Sequence, residues 1–499
     1  MTTACRNASC AAAGGGGRSP STTPPTTPST SSIYATPRAP SRRRSSAAAP
    51  APGTPAAAAW SPSPSSPRGS PATSAARSST GRRPSRAGGG SSTGSTIGAP
   101  APSSATATPS PSTPAWRRSS PVAAERLDLG LLPLWRGPQE RPGATPLPFV
   151  LGVEAGVVRL ALPPAELARI TAAYAGDGYG FITSPPGSSS WGDRLGEWYL
   201  EVLARRLGSL AGQRVVEIGS GTLYVAERLV ERLGAARVTA CDPALRQTPR
   251  SPAIAVERAY FGTVDLPPAD LVVSLNTLEH VPDLGPHLRA IRRLLRPGGR
   301  LFLVVPDCSR GLAAGDVGIC VHEHLSYFTP DSLLATLAAN GLETTWHDSR
   351  EDTIFAVARP AKPVAGRPDD RRPAALLARF GRALAANLAR ARQLLQTLER
   401  PLACHGCSVH LSNLFGLLGL EHDPSITLFD GDERKVGRYL PTFDRPIRSA
   451  RDPSYRRMAS VVVAAMTYYR EIAEGLGREH GIPPARIHPI LPSGGPGDD

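Results

Sequence analysis

Two acids and two glycines in the middle of the chain are spaced for holding a nucleoside. Glu217 lies in a short apolar run that opens into the turn Gly219-Ser220-Gly221, and Asp242 closes a second apolar run about twenty residues further on. Glycine admits backbone angles closed to other residues and lets a ligand approach the main chain. An acid at that distance is where α/β nucleotide-binding units meet ribose hydroxyls. Tyr224 replaces the third glycine of the dinucleotide pattern, so the turn is not made for a pyrophosphate seated on a helix N-terminus. The pattern predicts an adenosine-containing cofactor that needs no phosphate cradle.

A second group of residues can move protons. Residues 276–283 read Asn-Thr-Leu-Glu-His-Val-Pro-Asp, and residues 321–330 read Val-His-Glu-His-Leu-Ser-Tyr-Phe-Thr-Pro. Both follow predicted strands, and loops at the carboxyl ends of parallel strands face the ligand. Two plainer readings stay open: His280 shapes the cofactor pocket, and His322 with His324 forms a structural or helix-capping cluster. No metal is expected, because two histidines flanking a glutamate at i and i+2 share no helix face and lack other ligands. Cys404-His-Gly-Cys407 has suggestive spacing but no second ligand pair, and it reads as a buried turn with incidental thiols.

The elements that must position these residues alternate in type. Strands are predicted at 214–218, 237–241, 271–274, 300–305, near 342–347 and at 353–358, with helical stretches between them, the signature of a mostly parallel sheet covered on both faces. The last two strands lie close in sequence and read as a hairpin. Ahead of this core (208–362), residues 125–207 read as an extension containing a strand at 156–162 and helices at 164–174 and 193–206. Its prolines at 138, 142, 146 and 148 mark turns, and the loop 178–191 is a lid candidate that carries Tyr179. A long helix is expected over 369–400. A smaller α/β domain over 401–495 follows, with strands at 426–430, 460–465 and 487–490 and helices through 420 and over 468–479.

The motif series resembles class I S-adenosylmethionine-dependent methyltransferases, which implies a Rossmann-like seven-stranded core, S-adenosylmethionine as cofactor, and an enzyme. In that likeness Glu217, Gly219, Ser220, Gly221 and Asn276 form the cofactor loops, Asp242 meets the ribose, and Asp265 is either an adenine contact or a surface turn. The His-Glu-His-Leu-Ser-Tyr segment, Tyr260-Phe-Gly262 and the acid-to-proline stretch 430–446 resemble the sugar C-methyltransferases. That likeness covers roughly residues 203–492. It implies methylation of a carbon beside a carbonyl in a small molecule such as a nucleotide-linked keto sugar. A base must then remove a proton while a donor stabilises the enolate. By the same likeness His324 is the base, Glu323 orients or polarises, His280 donates to the oxyanion, and His322 is a flanking alternative. The sequence departs from that family in having Val321 for a tyrosine and no paired cysteines ahead of the core, where the family carries a zinc module.

Composition narrows the partners. The chain has 499 residues and a formal charge of +15, but residues 1–120 hold thirteen arginines and no Asp or Glu, so the remainder is near +2. That stretch of Ser, Thr, Pro, Ala, Gly and Arg cannot bury enough apolar surface to order itself and is expected to be disordered. It lacks the interleaved aromatics that stack bases, so nucleic acid is not the expected partner. No apolar run reaches the ~20 residues that cross a bilayer, and no signal-type block opens the chain, so a cytoplasmic enzyme is expected.

Overall fold

The computed structural model describes residues 126–177, 186–187, 189–366 and 369–491. The readings for residues 1–120, for Tyr179 and for most of the 178–191 lid loop fall outside them. The chain enters through β1 (Arg126–Pro133), β2 (Pro146–Glu154), β3 (Val157–Leu160), α1 (Pro164–Asp177) and α2 (Ser190–Leu207). The core continues with β4 (Arg214–Ile218), α3 (Tyr224–Glu231), β5 (Arg237–Cys241), β6 (Ile254–Glu257), β7 (Ala269–Leu275), α4 (Leu284–Leu294) and β8 (Leu295–Pro306). It closes with α5 (Ser309–Ala314), β9 (Ser326–Tyr327), α6 (Pro330–Ala339), β10 (Leu342–Arg350) and β11 (Thr353–Pro360).

Seven of these strands form one sheet in the order β10-β11-β8-β7-β4-β5-β6. β4 to β8 run parallel, and β11 runs against both neighbours. Parallel strands buried on both faces read as unbroken apolar runs. Val215, Val216, Val272, Val273, Leu301 and Leu303 are accordingly all buried. Chain order reverses at β4 and β7, and the crevice beyond the carboxyl ends of such strands is the natural ligand site of an open α/β sheet. The core is therefore the expected Rossmann-like seven-stranded α/β sheet.

After α7 (Arg371–Thr397) the chain builds β12 (Leu402–His405), α8 (Val409–Leu418), β13 (Ile426–Asp430), β14 (Arg448–Ser449), β15 (Ser460–Val463), α9 (Tyr469–His480) and β16 (Ile487–Pro489). The five strands form an all-parallel sheet ordered β14-β13-β12-β15-β16.

The extension does more than flank the core. β1, β2 and β3 pair with β9 in a four-stranded sheet, and β9 belongs to the segment that carries the paired histidines. Its apolar face joins Phe149, Leu151 and Val158 to Leu312 and Tyr327, to Phe380 of α7, and to Leu411 and Leu428 of the second domain in one buried cluster. The expected turns at Pro146 and Pro148 lie instead inside β2. Pro148 faces the register shift between Asp128 and Leu131, and β3 pairs only from Leu151 onward, so the missing N–H groups cost little of the ladder. No helix among the described residues is long and apolar enough to cross a membrane.

Candidate functional site

A cavity of about 1300 Å³ opens at the carboxyl ends of β4, β5 and β7. Its first end is built by the glycine turn. Gly219 and Gly221 take φ of 78° and 65°, in the left-handed region that favours glycine. A Cβ on Gly219 would collide with the Thr277 side chain. That hydroxyl lies 3.2 Å from the Ile218 carbonyl and 3.1 Å from that of Leu275, tying the ends of β4 and β7 together. Asp242 is 1 % exposed. It accepts from Gly221 N at 3.2 Å, from Ala244 N at 2.7 Å and from the Tyr174 hydroxyl at 3.2 Å. Tyr174, on α1, lines the same space, and sequence reasoning gave it no role.

Glu217 is buried, and its Oε2 has no hydrogen-bond partner among the described residues. Burial, then the nearby Asp242 charge, lift its carboxyl to about 8, against the Ser220 and Ala226 hydrogen bonds that favour the ionised form. Ser220 itself donates to the Glu217 carbonyl. Asn276 has φ 47°, a conformation asparagine tolerates, and its amide donates to the Tyr199 hydroxyl at 3.0 Å. Asp265 is exposed and is not among the residues that line the cavity. A glycine turn beneath an orphaned buried carboxyl oxygen, facing an acid on the neighbouring strand, fits a nucleoside cofactor.

The other end brings His280, Glu323 and His324 together, although His280 and His324 are far apart in sequence. Main-chain bonds close the gap: Leu325 N donates to the Glu279 carbonyl at 2.8 Å. From β3, the Arg159 guanidinium reaches the Val281 and Pro282 carbonyls and the Ser326 hydroxyl. The second domain braces the same segment, since Asn413 donates to the Val317 and Cys320 carbonyls. The two imidazoles meet edge to face with centroids 5.0 Å apart.

His280 Nδ1 donates to the Glu323 carbonyl at 2.8 Å. In the neutral ring this leaves the lone pair on Nε2, which lies 3.8 Å from Glu279 Oε1. The side chain is 36 % exposed, and the partial burial of the ring lowers its pKa to about 4, with the main-chain bonds opposing. Burial, and next His280 itself, hold His324 well below the usual imidazole range. Both rings are therefore neutral near pH 7.

The nearby acids are raised. Burial puts Glu279 at about 8 and Glu323 at about 9, the latter opposed by Arg136. Glu279, which sequence reasoning left unassigned, is 1 % exposed, and neither of its carboxylate oxygens has a partner among the described residues. His322 does not join this group. It packs edge to face on Phe149 and bonds the Leu147 carbonyl inside the core. As a flanking alternative it is displaced, because the turn at residues 322–323 directs its ring into the core rather than toward the cavity.

The second domain contributes Asp432, Arg434, Lys435 and Tyr468 to the cavity wall. Its own glycine turn is closed. Asp430 accepts from Cys407 N and from Lys435 Nζ at 2.8 and 2.9 Å, and a Cβ on Gly406 would lie 2.7 Å from that of Ala465. Cys404 and Cys407 are buried free thiols.

Residues 201–347 match the family described as methyltransferase domain. The ubiquinone biosynthesis O-methyltransferase of Aeromonas salmonicida is 28 % identical over 187 residues, 31 % of this chain and 77 % of that protein. Its counterpart in Xylella fastidiosa is 31 % identical over 166 residues, and the match spans only 65 % of that relative. The C-methyltransferase NovU of Streptomyces niveus is 26 % identical over 302 residues, 55 % of this chain and 71 % of NovU. Among solved structures, the 1,6-didemethyltoxoflavin-N1-methyltransferase of Burkholderia thailandensis aligns over 41 % of this chain and 95 % of its own, with 20 % identity and a TM-score of 0.33. The family match falls on the sheet whose strand order and glycine turn build the cavity. Residues 201–347 are a class I, S-adenosylmethionine-dependent methyltransferase domain, joined in this chain to a second parallel α/β domain.

Proposed function

We propose that the chain is a cytoplasmic enzyme that methylates a carbon beside a carbonyl in a small molecule, a nucleotide-linked keto sugar or a related metabolite. One observation carries the reading: the His280 and His324 imidazoles and the buried Glu279 carboxyl share one cavity with the glycine turn and Asp242. Glu217, Gly219, Ser220, Gly221 and Asn276 would line the cofactor, and Asp242 would accept from its ribose hydroxyls. Bound there, S-adenosylmethionine supplies a methyl group on a sulfonium that needs no further activation.

His324, neutral and enclosed, takes the proton from the acceptor carbon, and the freed electron pair moves onto the carbonyl oxygen. His280 cannot donate to that oxygen from its resting tautomer, because its proton sits on Nδ1 against the Glu323 carbonyl. Passage of the Glu279 proton to His280 Nε2, 3.8 Å from Oε1 in the ligand-free protein, would leave a Glu279 carboxylate and a His280 imidazolium that stabilises the enolate oxygen. Glu323 acts through its main chain by fixing that tautomer. Asp432, Arg434, Lys435 and Tyr468 form the far wall, with Arg434 paired to Asp432 and Lys435 to Asp430. The similarity to NovU supports this reading, since it extends over 302 residues and beyond the methyltransferase domain.

A second reading, transfer to oxygen, is favoured by the ubiquinone O-methyltransferases among the relatives. Deuterium wash-out from the carbon beside the ketone, over a panel of nucleotide-linked keto sugars, separates the two. Carbon methylation requires exchange that His324→Ala abolishes. Turnover without exchange, merely slowed in that variant, would mean an oxygen or nitrogen acceptor.

A further inference from the structure

The expectation of no metal weighed His322-Glu323-His324 and Cys404-His-Gly-Cys407, and the fold brings together a different set. Glu279, His280 and His324 each offer a ligand atom, and these atoms all lie within 4.8 Å of one another. The Glu279 carboxylate is 1 % exposed, with both oxygens buried and unanswered among the described residues. His280 is held by Nδ1 on a main-chain carbonyl, the outer contact that fixes a metal-binding histidine with its other nitrogen toward the ion. Three donors thus lie close together on two segments that Arg159 and the Leu325 amide tie to each other.

We propose that Glu279, His280 and His324 form a binding site for one divalent transition cation of the zinc class. Three donors at the corners of a triangle with 4.8 Å sides lie about 2.8 Å from its centre, so shifts under about 1 Å reach the ~2.0–2.2 Å of zinc bonds to nitrogen and oxygen. Two imidazoles and one carboxylate favour zinc, cobalt or nickel over magnesium or calcium, which prefer all-oxygen sites. The remaining coordination position opens into the cavity. The inference goes beyond the proposed function and bears on it, because a cation here occupies the His324 nitrogen assigned as base. Zinc and proton removal compete for the same lone pair.

The test is a titration of the full chain with Co²⁺ in place of Zn²⁺, read by the cobalt d–d absorption bands and by equilibrium dialysis. The account expects one ion per chain and displacement of cobalt by zinc. Bands should persist in excess magnesium. Affinity should fall at least roughly 10- to 100-fold in Glu279→Gln and again in His324→Ala, with S-adenosylhomocysteine binding retained as the check that each variant is folded. No stoichiometric binding at millimolar cobalt, affinity unchanged in both folded variants, or displacement by magnesium would each overturn the site. Zinc inhibition of the wash-out reaction supports it. Activation by zinc with cobalt bound at these residues also supports the site, and overturns His324 as the base.

Discussion

Replacing Gly219 by alanine tests the turn that organises the cofactor end, and its cost can be worked from two independent terms. The backbone there has φ 78°, and holding an ordinary residue in the left-handed region costs about 1–2 kcal/mol. The new Cβ also collides with Thr277. Moving Thr277 aside gives up the hydroxyl bond that it shares between Ile218 and Leu275, worth about 1 kcal/mol. Gly219→Ala should therefore lose about 2–3 kcal/mol in urea unfolding, with weaker S-adenosylhomocysteine binding by calorimetry. Thr277→Ala alone should lose about 1 kcal/mol. The double variant should be less destabilised than the sum of the singles by roughly 0.5–1 kcal/mol, because the collision is relieved while the backbone term remains. A Gly219→Ala protein within about 0.5 kcal/mol of wild type, or strict additivity with Thr277→Ala, would refute the reasoning.

Two further outcomes follow from the same geometry. Arg159→Leu removes the clamp between β3, the Glu-His-Val-Pro turn and β9, and should cost about 2–4 kcal/mol in chemical denaturation while leaving S-adenosylhomocysteine affinity unchanged; equal loss of both would place Arg159 elsewhere in the account. Glu217 is raised from the usual 4.5 to about 8 in the folded, ligand-free chain, so the folded state holds a proton there that the unfolded state gives up. Its contribution is complete below about 4.5 and is lost as pH rises toward 8, with a slope of up to about 1.4 kcal/mol per pH unit. Glu217→Gln should flatten that part of the stability profile between pH 5 and 8, and an unchanged slope would remove the assignment.

Much of the core was legible because its strands are buried on both faces and read as apolar runs between helices. The closing hairpin of β10 and β11 was also readable, from the short gap between two apolar stretches. β6 was missed, since four residues after Pro252 carry too little pattern. β2 was hidden by its prolines, which are tolerated only because a register shift and an unpaired flank absorb them. At the site, spacing brought out the glycine turn and Asp242, which belong to one local unit. Glu279 and Tyr174 were beyond reach. The meaning of Glu279 depends on His324, brought beside it by the main-chain bond from Leu325 N to the Glu279 carbonyl, which no local pattern encodes, and Tyr174 reaches Asp242 from a helix outside the sheet.

The methyl donor is proposed to sit in the crevice between the glycine turn and Asp242. Calorimetry with S-adenosylhomocysteine on wild type and on Asp242→Asn tests it most directly. One-to-one binding is expected, weakening roughly 10- to 100-fold in the variant as one charge-assisted bond to the ribose is lost. Absence of binding to the wild-type chain, or equal affinity in the two proteins, would contradict it.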